Sequence, residues 1–197
     1  MPGVLIAFEG LDQSGKATQA SHLRASLEAH HLRVEALDFP DYKTAIGAEI
    51  ARTLREDTNR APDVTQLLFI ANRYEHRAAM EEWIRQGAVV LCDRYLASSV
   101  AYGEAHGLDP AWLYDVQRWL PQPALTILLD IDPDTAVVRK QEDRDRYERD
   151  LALLTRVRAS YLKQAEQFGW AVLDGSQHPT TVRDAIVQVV RSRLALL

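Results

Sequence analysis

Cysteine is almost absent from the sequence, since Cys92 is the only one among 197 residues. A single cysteine excludes a disulfide within the chain, and its place in the apolar run 88–92 predicts a small buried side chain. Long hydrophobic runs are also missing, because no segment approaches the roughly 18 apolar residues of a membrane span. The N-terminus lacks the basic stretch and cleavage site of a signal peptide. We therefore expect a cytoplasmic protein with no membrane partner.

Positive charge is in the minority. Lys and Arg total 23 against 28 Asp and Glu, which gives a net charge of −5 and a pI near 5.7. Without a basic field we expect no nucleic-acid partner. The six histidines show no metal-ligand spacing, and the G-x-S-x-G motif of many serine hydrolases is missing. Zinc and serine-hydrolase chemistry therefore have no support.

Short apolar runs alternate with longer segments of helical period. The runs predict strands at residues 4–8, 34–39, 88–92, 125–131 and 171–173. The longer segments predict helices at 15–31, 45–56, 65–86, 111–119, 135–140, 150–168 and 181–196. Such alternation is typical of a parallel sheet covered on both faces. With 47% hydrophobic residues in 197, we predict one α/β domain, a three-layer α/β/α fold with a five-stranded, mostly parallel sheet.

Charged and aromatic residues follow four of the predicted strands. They are Glu9 and a glycine-rich loop, the segment 38–42, Asp93 with Arg94, and Asp130 with Asp132. Ligands of such folds bind beyond the carboxyl ends of the strands. We therefore expect these four strand ends to form one crevice.

The loop after the first strand has the spacing of a phosphate-binding loop. Gly10, Gly15 and Lys16 form the pattern G-x-x-x-x-G-K, in which backbone N–H groups surround an anion and the lysine reaches the outer phosphates. The dipole of the following helix favours the same anion. Position 17, where a hydroxyl normally coordinates Mg²⁺, holds Ala17. A turn without a ligand is the alternative, but a turn alone does not require the lysine.

Three further segments each permit two interpretations. Asp93 and Arg94 can hold Mg²⁺ and a phosphoryl oxygen, or form an ion pair at the sheet edge. Phe69 and Arg73, four residues apart on a helix, can stack on and hydrogen-bond to a nucleobase, or serve as core and surface residues. Residues 139–150 carry five cations and five anions. They form either a solvated helix surface or a lid that brings arginines over transferring phosphates.

The available groups favour a phosphate as the acceptor. A monophosphate is largely ionised at neutral pH and needs no base, whereas an alcohol benefits from one. The sequence supplies Lys16, Arg94 and the arginines of the lid segment, but no obvious base for an alcohol. A nucleoside monophosphate kinase is therefore favoured. A deoxynucleoside kinase and a nucleotide-dependent regulatory switch are the alternatives.

Five segments, in this order, resemble the signatures of the thymidylate kinase family. They are residues 8–19, residues 39–42, Phe69 with Arg73, residues 93–102 and residues 145–150. The resemblance implies transfer of a phosphoryl group from ATP to dTMP with Mg²⁺, in a homodimer. Gln13 occupies the loop position where one form of the family has an arginine. The sequence therefore resembles the other form, in which the lid supplies the catalytic arginine.

The resemblance also implies roles for individual residues. The ATP-binding loop is Gly10, Leu11, Asp12, Gln13, Ser14, Gly15, Lys16, Ala17 and Thr18. The catalytic residues are Lys16, Asp93, Arg94 and, from the lid segment, one of Arg139, Arg144 and Arg146. The dTMP-binding residues are Asp12, Phe39, Pro40, Tyr42, Phe69, Arg73, Arg94, Ser98, Ser99, Tyr102 and Tyr147. The Mg²⁺ ligands are Asp12, Asp93 and Glu148.

Within the dTMP site, the resemblance assigns the acceptor phosphate to Arg94 and the Phe39–Pro40 segment. Thymine would stack on Phe69 and bond to Arg73, and Tyr102 would favour deoxyribose by crowding the 2′ position of the sugar. Two positions depart from the family pattern. Ala17 leaves Mg²⁺ to carboxylates, phosphate oxygens and waters. Ser99 is shorter than the polar side chain that some members place near the base.

Overall fold

A computed structural model describes residues 3–55, 60–139 and 150–197. Five strands form one sheet: β1 Val4–Glu9, β2 Val34–Asp38, β3 Val89–Asp93, β4 Leu125–Asp130 and β5 Ala171–Asp174. Their order across the sheet is β2-β3-β1-β4-β5, and every pairing is parallel. The predicted five-stranded sheet is confirmed, and it is wholly rather than mostly parallel over the described residues.

Helices connect the strands and cover the sheet. In the described ranges they are α1 Lys16–Ala29, α2 Ala45–Arg55, α3 Pro62–Glu75, α4 Arg77–Arg85, α5 Leu96–Ala105, α6 Pro110–Asp115, α7 Pro133–Arg139, α8 Leu151–Phe168 and α9 Pro179–Leu194. None of these helices is long and apolar enough to cross a membrane.

The core lies on both faces of the sheet, as a three-layer fold requires. On one face, Ile6 and Phe8 of β1 pack with side chains of α1 and α9. On the other face, Leu5 and Ala7 pack with Met80 of α4. The central strands are apolar on both sides for this reason, because neither face of a covered parallel sheet meets water. Cys92 belongs to this second cluster and is fully buried, as the sequence predicted.

The single helix predicted for 65–86 is wrong, because the chain forms two helices with a break at His76. His76 ends α3, and its backbone N–H bonds to the carbonyl of Arg73 in a tighter turn. Its ring packs edge-on against Phe39 at a centroid distance of 5.6 Å, and its Nε2 lies 3.2 Å from an Asp41 carboxylate oxygen. The sequence analysis missed this break because the contacts of His76 are with residues distant in the chain, whereas the helical spacing of apolar residues continues through position 76.

Two further differences lie around α5. The sequence analysis missed α5 because the helix is buried on nearly every side and carries no polar stripe. The helix predicted at 111–119 is shorter and ends at Asp115 as α6. Since α5 begins directly after β3, it carries Ser98, Ser99 and Tyr102 to the carboxyl edge of the sheet.

Candidate active site

A cleft runs along the carboxyl ends of β1, β2 and β3. It has two chambers that share five residues: Asp12, Phe39, Pro40, Tyr42 and Arg94. The loop chamber adds Gln13, Gly15, Lys16, Ala17, Thr18, Asp38 and Asp93. The inner chamber adds Leu54, Gln66, Phe69, Arg73, Ser98, Ser99 and Tyr102. The fold therefore brings most of the described candidate residues into one continuous cleft.

The fourth strand end has a different role. Asp130 and Asp132, which end and follow β4, both form ion pairs with Arg158 of α8. Arg158 Nε and Nη2 donate to the two oxygens of Asp130 at 2.7 and 2.8 Å. Neither carboxylate lines the loop chamber or the inner chamber, so the expectation that they join the crevice is wrong; their ion pairs fasten α8 to the end of β4.

The glycine-rich loop has the backbone of an anion cradle. Gly10, Gln13 and Gly15 have φ values of 138°, 63° and 94°, in the left-handed region where L side chains are disfavoured. At Gly10 a Cβ atom would lie 2.4 Å from the carbonyl oxygen of Leu129, so this position requires glycine. Alternating left-handed residues turn successive N–H groups to one side. The loop leads into the N-terminus of α1 at Lys16.

Lys16 is held at the base of the loop chamber. Its ammonium donates to the carbonyl oxygen of Leu11 at 2.8 Å, and the residue is 5% exposed. Burial lowers the pKa of Lys16 to about 8, and repulsion from Arg94 lowers it too, against the attraction of nearby carboxylates. A phosphate in this chamber would supply the negative charge that favours its protonated form.

Arg94 lies where the two chambers meet. Its backbone has a φ of 61°, and its Nη2 donates to a carboxylate oxygen of Asp12 at 2.7 Å. Its Nη1 lies 3.1 Å from Ser98 Oγ and 3.2 Å from Tyr161 Oη. Burial lowers the pKa of Arg94, but Asp12, Tyr102 and Tyr161 together outweigh it, Asp12 foremost among them, and the net pKa is well above its ordinary value. Arg94 therefore remains a cation.

Phe69 and Arg73 of α3 line the inner chamber together. Arg73 is 2% exposed, which excludes the interpretation of this pair as a core residue with a surface arginine. Its Nη1 donates to Ser99 Oγ at 2.6 Å, and its guanidinium carbon lies 5.8 Å from the centre of the Phe39 ring. Its Nε is buried without a hydrogen-bond partner among the described residues. A planar ligand with an acceptor edge suits this unused donor.

Tyr102 lines the inner chamber beside its junction with the loop chamber. Its hydroxyl lies 3.4 Å from the second carboxylate oxygen of Asp12, and its ring lies 5.5 Å from the guanidinium carbon of Arg94. Ser98, one helical turn earlier, is 5% exposed and hydrogen-bonded to Glu9, Arg94 and Tyr161. Ser98 thus supports Arg94 in addition to lining the chamber.

Asp93 faces a second carboxylate, Asp38, which the sequence analysis expected in the crevice but to which it gave no role. Asp38 is its neighbour in register across β2 and β3, and both line the loop chamber. Burial raises the pKa of Asp38, and repulsion from Asp93 and Asp41 raises it further. The only sequence signal for Asp38 was its place at the end of β2. Crowded carboxylates beside a phosphate site favour a divalent cation.

The carboxylate oxygens of the loop chamber suit an Mg²⁺ ion that is also coordinated by phosphate. Ala17 presents only a methyl group, and within the described ranges no three His, Cys, Asp or Glu side chains are grouped to hold a metal by themselves. Mg²⁺ commonly uses one or two carboxylates and completes its shell with phosphate oxygens and waters. Asp12 and Asp93 provide such carboxylates, and Glu148 lies outside the described residues.

Arg139 ends α7 and binds backbone carbonyls of two other segments. Its Nη1 donates to the carbonyl oxygens of Gln13 and Gly175, both at 3.0 Å, and its Nη2 to that of Ser176 at 3.3 Å. Arg139 thus borders the phosphate loop and the turn after β5. The other candidates of the lid segment, Arg144, Arg146 and Tyr147, lie outside the described residues.

Comparisons with known proteins agree with this geometry. The family model for thymidylate kinase matches residues 8–186. The thymidylate kinase of Schizosaccharomyces pombe is 37% identical over 193 residues, which cover 95% of this chain and 91% of that protein. That of Arabidopsis thaliana is 35% identical over 188 residues, which cover 95% of this chain and 71% of that protein. The solved structure of thymidylate kinase from Candida albicans has a TM-score of 0.85 at 27% identity, covering 100% of this chain and 94% of that chain.

The match extends over the phosphate loop, the helix with Phe69 and Arg73, the segment after β3 and α8. It thus includes every element that lines the cleft. The resemblance inferred from the five sequence segments is confirmed, and so is the α/β fold it implied. This chain belongs to the thymidylate kinase family, and its reaction is the phosphorylation of dTMP in nucleotide biosynthesis.

Proposed function

We propose that the loop chamber binds ATP, that the inner chamber binds dTMP, and that Arg94 lies at the point of phosphoryl transfer between them. The observation that carries this proposal is the Asp12–Arg94 contact of 2.7 Å, which joins the phosphate loop to the wall of the inner chamber. Two anions aligned across this junction need cations at the point of closest approach. Lys16 supplies one on the donor side and Arg94 the other on the acceptor side.

On the donor side, the N–H groups of residues 10–18 bind the phosphates of ATP, and the Lys16 ammonium leaves the Leu11 carbonyl for them. Asp93 and Asp12 hold Mg²⁺ directly or through water. When bound, Mg²⁺ would neutralise negative charge that develops on the phosphates during transfer. The support for these roles is the left-handed backbone of the loop and the carboxylate pair at the ends of β2 and β3.

On the acceptor side, Arg94 and the Phe39–Pro40 segment hold the phosphate of dTMP. Thymine stacks on Phe69 and accepts a hydrogen bond from Arg73, whose guanidinium Ser99 keeps in place. Tyr102 lies against the sugar and leaves little room for a 2′-hydroxyl. The acceptor phosphate is already ionised at neutral pH, so none of the chamber's residues has to remove a proton.

The remaining charge on the transferred phosphoryl group is neutralised from the lid segment. Gln13 lies in the loop where an arginine would otherwise reach the phosphates. Arg139 is bonded to backbone carbonyls beside the loop, so it borders the ATP site. Arg144 and Arg146 are the other lid candidates, and closure of the lid would exclude water from ATP.

A panel of acceptors tests the assignment. ADP release should be fastest with dTMP and slower with UMP, CMP, AMP and GMP. Equal turnover of UMP or CMP would contradict the thymine site. Faster phosphorylation of thymidine than of dTMP would favour a deoxynucleoside kinase. ATP binding without transfer to any acceptor would favour a regulatory switch.

The proposal includes a homodimer in the cytoplasm, as the resemblance implies. Its support is an apolar strip on α3, where Val64 and Leu67 are 42% and 43% exposed. Large exposed apolar side chains on one helix favour burial against another chain. Light scattering should give twice the 22.3 kDa mass of the chain. A double substitution, Val64→Glu with Leu67→Glu, should give monomers, and an unchanged mass would exclude this strip as the interface.

A further inference from the structure

Glu9, at the end of β1, is a fully buried carboxylate with its own set of donors. Its Oε1 accepts from the backbone N–H groups of Tyr95 and Ser98 at 2.8 and 3.3 Å. Its Oε2 lies 2.6 Å from Ser98 Oγ and 3.4 Å from Tyr161 Oη. Burying a carboxylate costs much free energy unless donors replace water. Here Glu9 also caps the N-terminus of α5, where no side chain of α5 itself does so.

The direction of the hydroxyl protons follows from these contacts. The Ser98 hydroxyl has one proton, and its shortest contact is to the carboxylate of Glu9, so it donates there. In the 2.7 Å contact between Ser98 Oγ and Tyr161 Oη, the proton therefore comes from Tyr161. Burial raises the pKa of Tyr161, and Glu9 raises it further, so its hydroxyl keeps this proton.

This arrangement leaves the lone pairs of both hydroxyls for Arg94. Ser98 Oγ and Tyr161 Oη lie 3.1 and 3.2 Å from the same atom, Nη1 of Arg94. The other terminal nitrogen, Nη2, donates to Asp12. The guanidinium is thus held in a plane set by two buried hydroxyls on one side and the phosphate loop on the other.

Tyr161 brings a distant element into this contact. It lies on α8, 1% exposed, and α8 is fastened to the end of β4 by the ion pairs of Arg158 with Asp130 and Asp132. The position of the Tyr161 hydroxyl is therefore set by rigid neighbours. Arg94 itself has a left-handed φ of 61°, which costs free energy and is retained only when its surroundings determine it.

We propose that Tyr161 and Glu9 are positioning residues for the acceptor phosphate: Glu9 orients the Ser98 and Tyr161 hydroxyls, and these hold the Arg94 guanidinium in its phosphate-binding plane. This inference rests on the role given to Arg94 in the proposed function. Neither residue lines the loop chamber or the inner chamber, so we expect their effect to act through Arg94, to depend on the phosphate of dTMP and to be absent for thymidine.

Tyr161→Phe tests the inference, because it removes the hydroxyl and retains the ring. The dissociation constant for dTMP should rise by roughly tenfold, the usual effect of losing a hydrogen bond to a charged group. The dissociation constant for thymidine should not change. Tyr114→Phe is the matched control. It removes a tyrosine hydroxyl that donates at 3.0 Å to Gln164 of α8, the helix that also carries Tyr161. It should change neither constant.

Glu9→Gln tests the other end of the network. The amide keeps an acceptor but presents N–H groups where the carboxylate accepted from the Ser98 hydroxyl, which disturbs the proton order that fixes Ser98 and Tyr161. The preference for dTMP over thymidine should fall as in Tyr161→Phe. Equal losses of dTMP and thymidine binding in Tyr161→Phe would show a merely structural role and overturn the inference. An unchanged preference in Glu9→Gln would overturn the part assigned to Glu9.

A double-mutant cycle with Arg94→Gln separates this inference from the proposed function. Arg94→Gln should itself reduce the preference for dTMP over thymidine, and adding Tyr161→Phe should have no further effect. If Arg94→Gln leaves the preference unchanged, the proposed role of Arg94 fails. If Arg94→Gln reduces the preference and Tyr161→Phe does not, or if the two effects add independently, the positioning inference alone fails.

Discussion

The carboxylate of Asp12 and the guanidinium of Arg94 are 2.7 Å apart, although the two residues come from different strand ends and are 82 positions apart in the chain. Their contact connects the phosphate loop with the wall of the inner chamber. It also means that a phosphate reaching Arg94 meets a cation partly engaged by Asp12. Both sides of the phosphoryl transfer are thus built around one ion pair.

Lys16→Met should stabilise the free protein while abolishing turnover. The folded pKa of Lys16 is about 8, below its ordinary 10.5, so the folded state disfavours the protonated form. This penalty, at most about 3 kcal/mol, is fully present below pH 8 and is relieved as pH rises towards 10.5. Urea unfolding without nucleotide should show the variant to be more stable than the parent at pH 7, by an amount that shrinks above pH 8. Equal or lower stability of the variant at pH 7 would contradict the buried charge.

Ala17→Ser should lower the Mg²⁺ concentration needed for half-maximal turnover. The new hydroxyl adds an oxygen ligand at the exposed first turn of α1, beside the phosphates. Ala25→Ser is the control, since it places a serine on an exposed position of the same helix. Mg²⁺ titrations of the two variants provide the comparison. No shift in Ala17→Ser would indicate that the metal does not lie near position 17.

Arg73→Gln should impair selection of the base more than binding of the phosphate. Its guanidinium is buried against Ser99, and its Nε has no hydrogen-bond partner in the part of the chain that the structure describes. The chamber it lines is the one assigned to thymine. We expect kcat/KM for dTMP to fall by roughly 10²-fold. The preference for dTMP over CMP should narrow, because cytosine has an amino group where thymine has the carbonyl oxygen that accepts from Arg73. Arg77→Gln on the neighbouring α4 is the control, because Arg77 forms an exposed pair with Glu81. An unchanged preference would remove Arg73 from base recognition.

Alanine substitutions should distinguish the roles of the three arginines of the lid segment. Arg139→Ala removes three bonds to carbonyls beside the phosphate loop, so the KM for ATP should rise. Arg144→Ala or Arg146→Ala should lower turnover without changing the affinity for dTMP. Steady-state kinetics with each substrate varied in turn measure both effects. Full activity in all three variants would make residues 139–150 a solvated surface.

The part of this site that the sequence could predict depends on local patterns of residues. The loop glycines and Lys16 form one short motif, and the strands are apolar because both faces of the sheet are covered. These features are set by residues close together in the chain. The fold class, the phosphate loop and the pairing of Phe69 with Arg73 in one chamber therefore agree with the sequence analysis.

What the sequence did not reveal depends on contacts between distant elements. Helix α5 is buried almost all round and has no polar stripe, so its sequence shows no helical alternation of polar and apolar residues. Glu9 and Tyr161 are 152 positions apart and gain their roles only where β1, α5 and α8 converge. Asp130 and Asp132 pointed to the crevice by position, but Arg158 of α8 binds them instead. Which of these side chains are buried, and which residues they bind, depends on how the helices and strands pack in the folded protein.

The central claim is that Arg94 neutralises the acceptor phosphate during transfer from ATP. The most direct measurement is the turnover of dTMP by Arg94→Ala beside Arg77→Ala, with folding of both checked by circular dichroism. We predict that Arg94→Ala lowers kcat/KM by at least about 10²-fold, because a preorganised charge is lost from the transition state, while Arg77→Ala stays near the parent value. Turnover by Arg94→Ala within a few-fold of the parent would contradict the account.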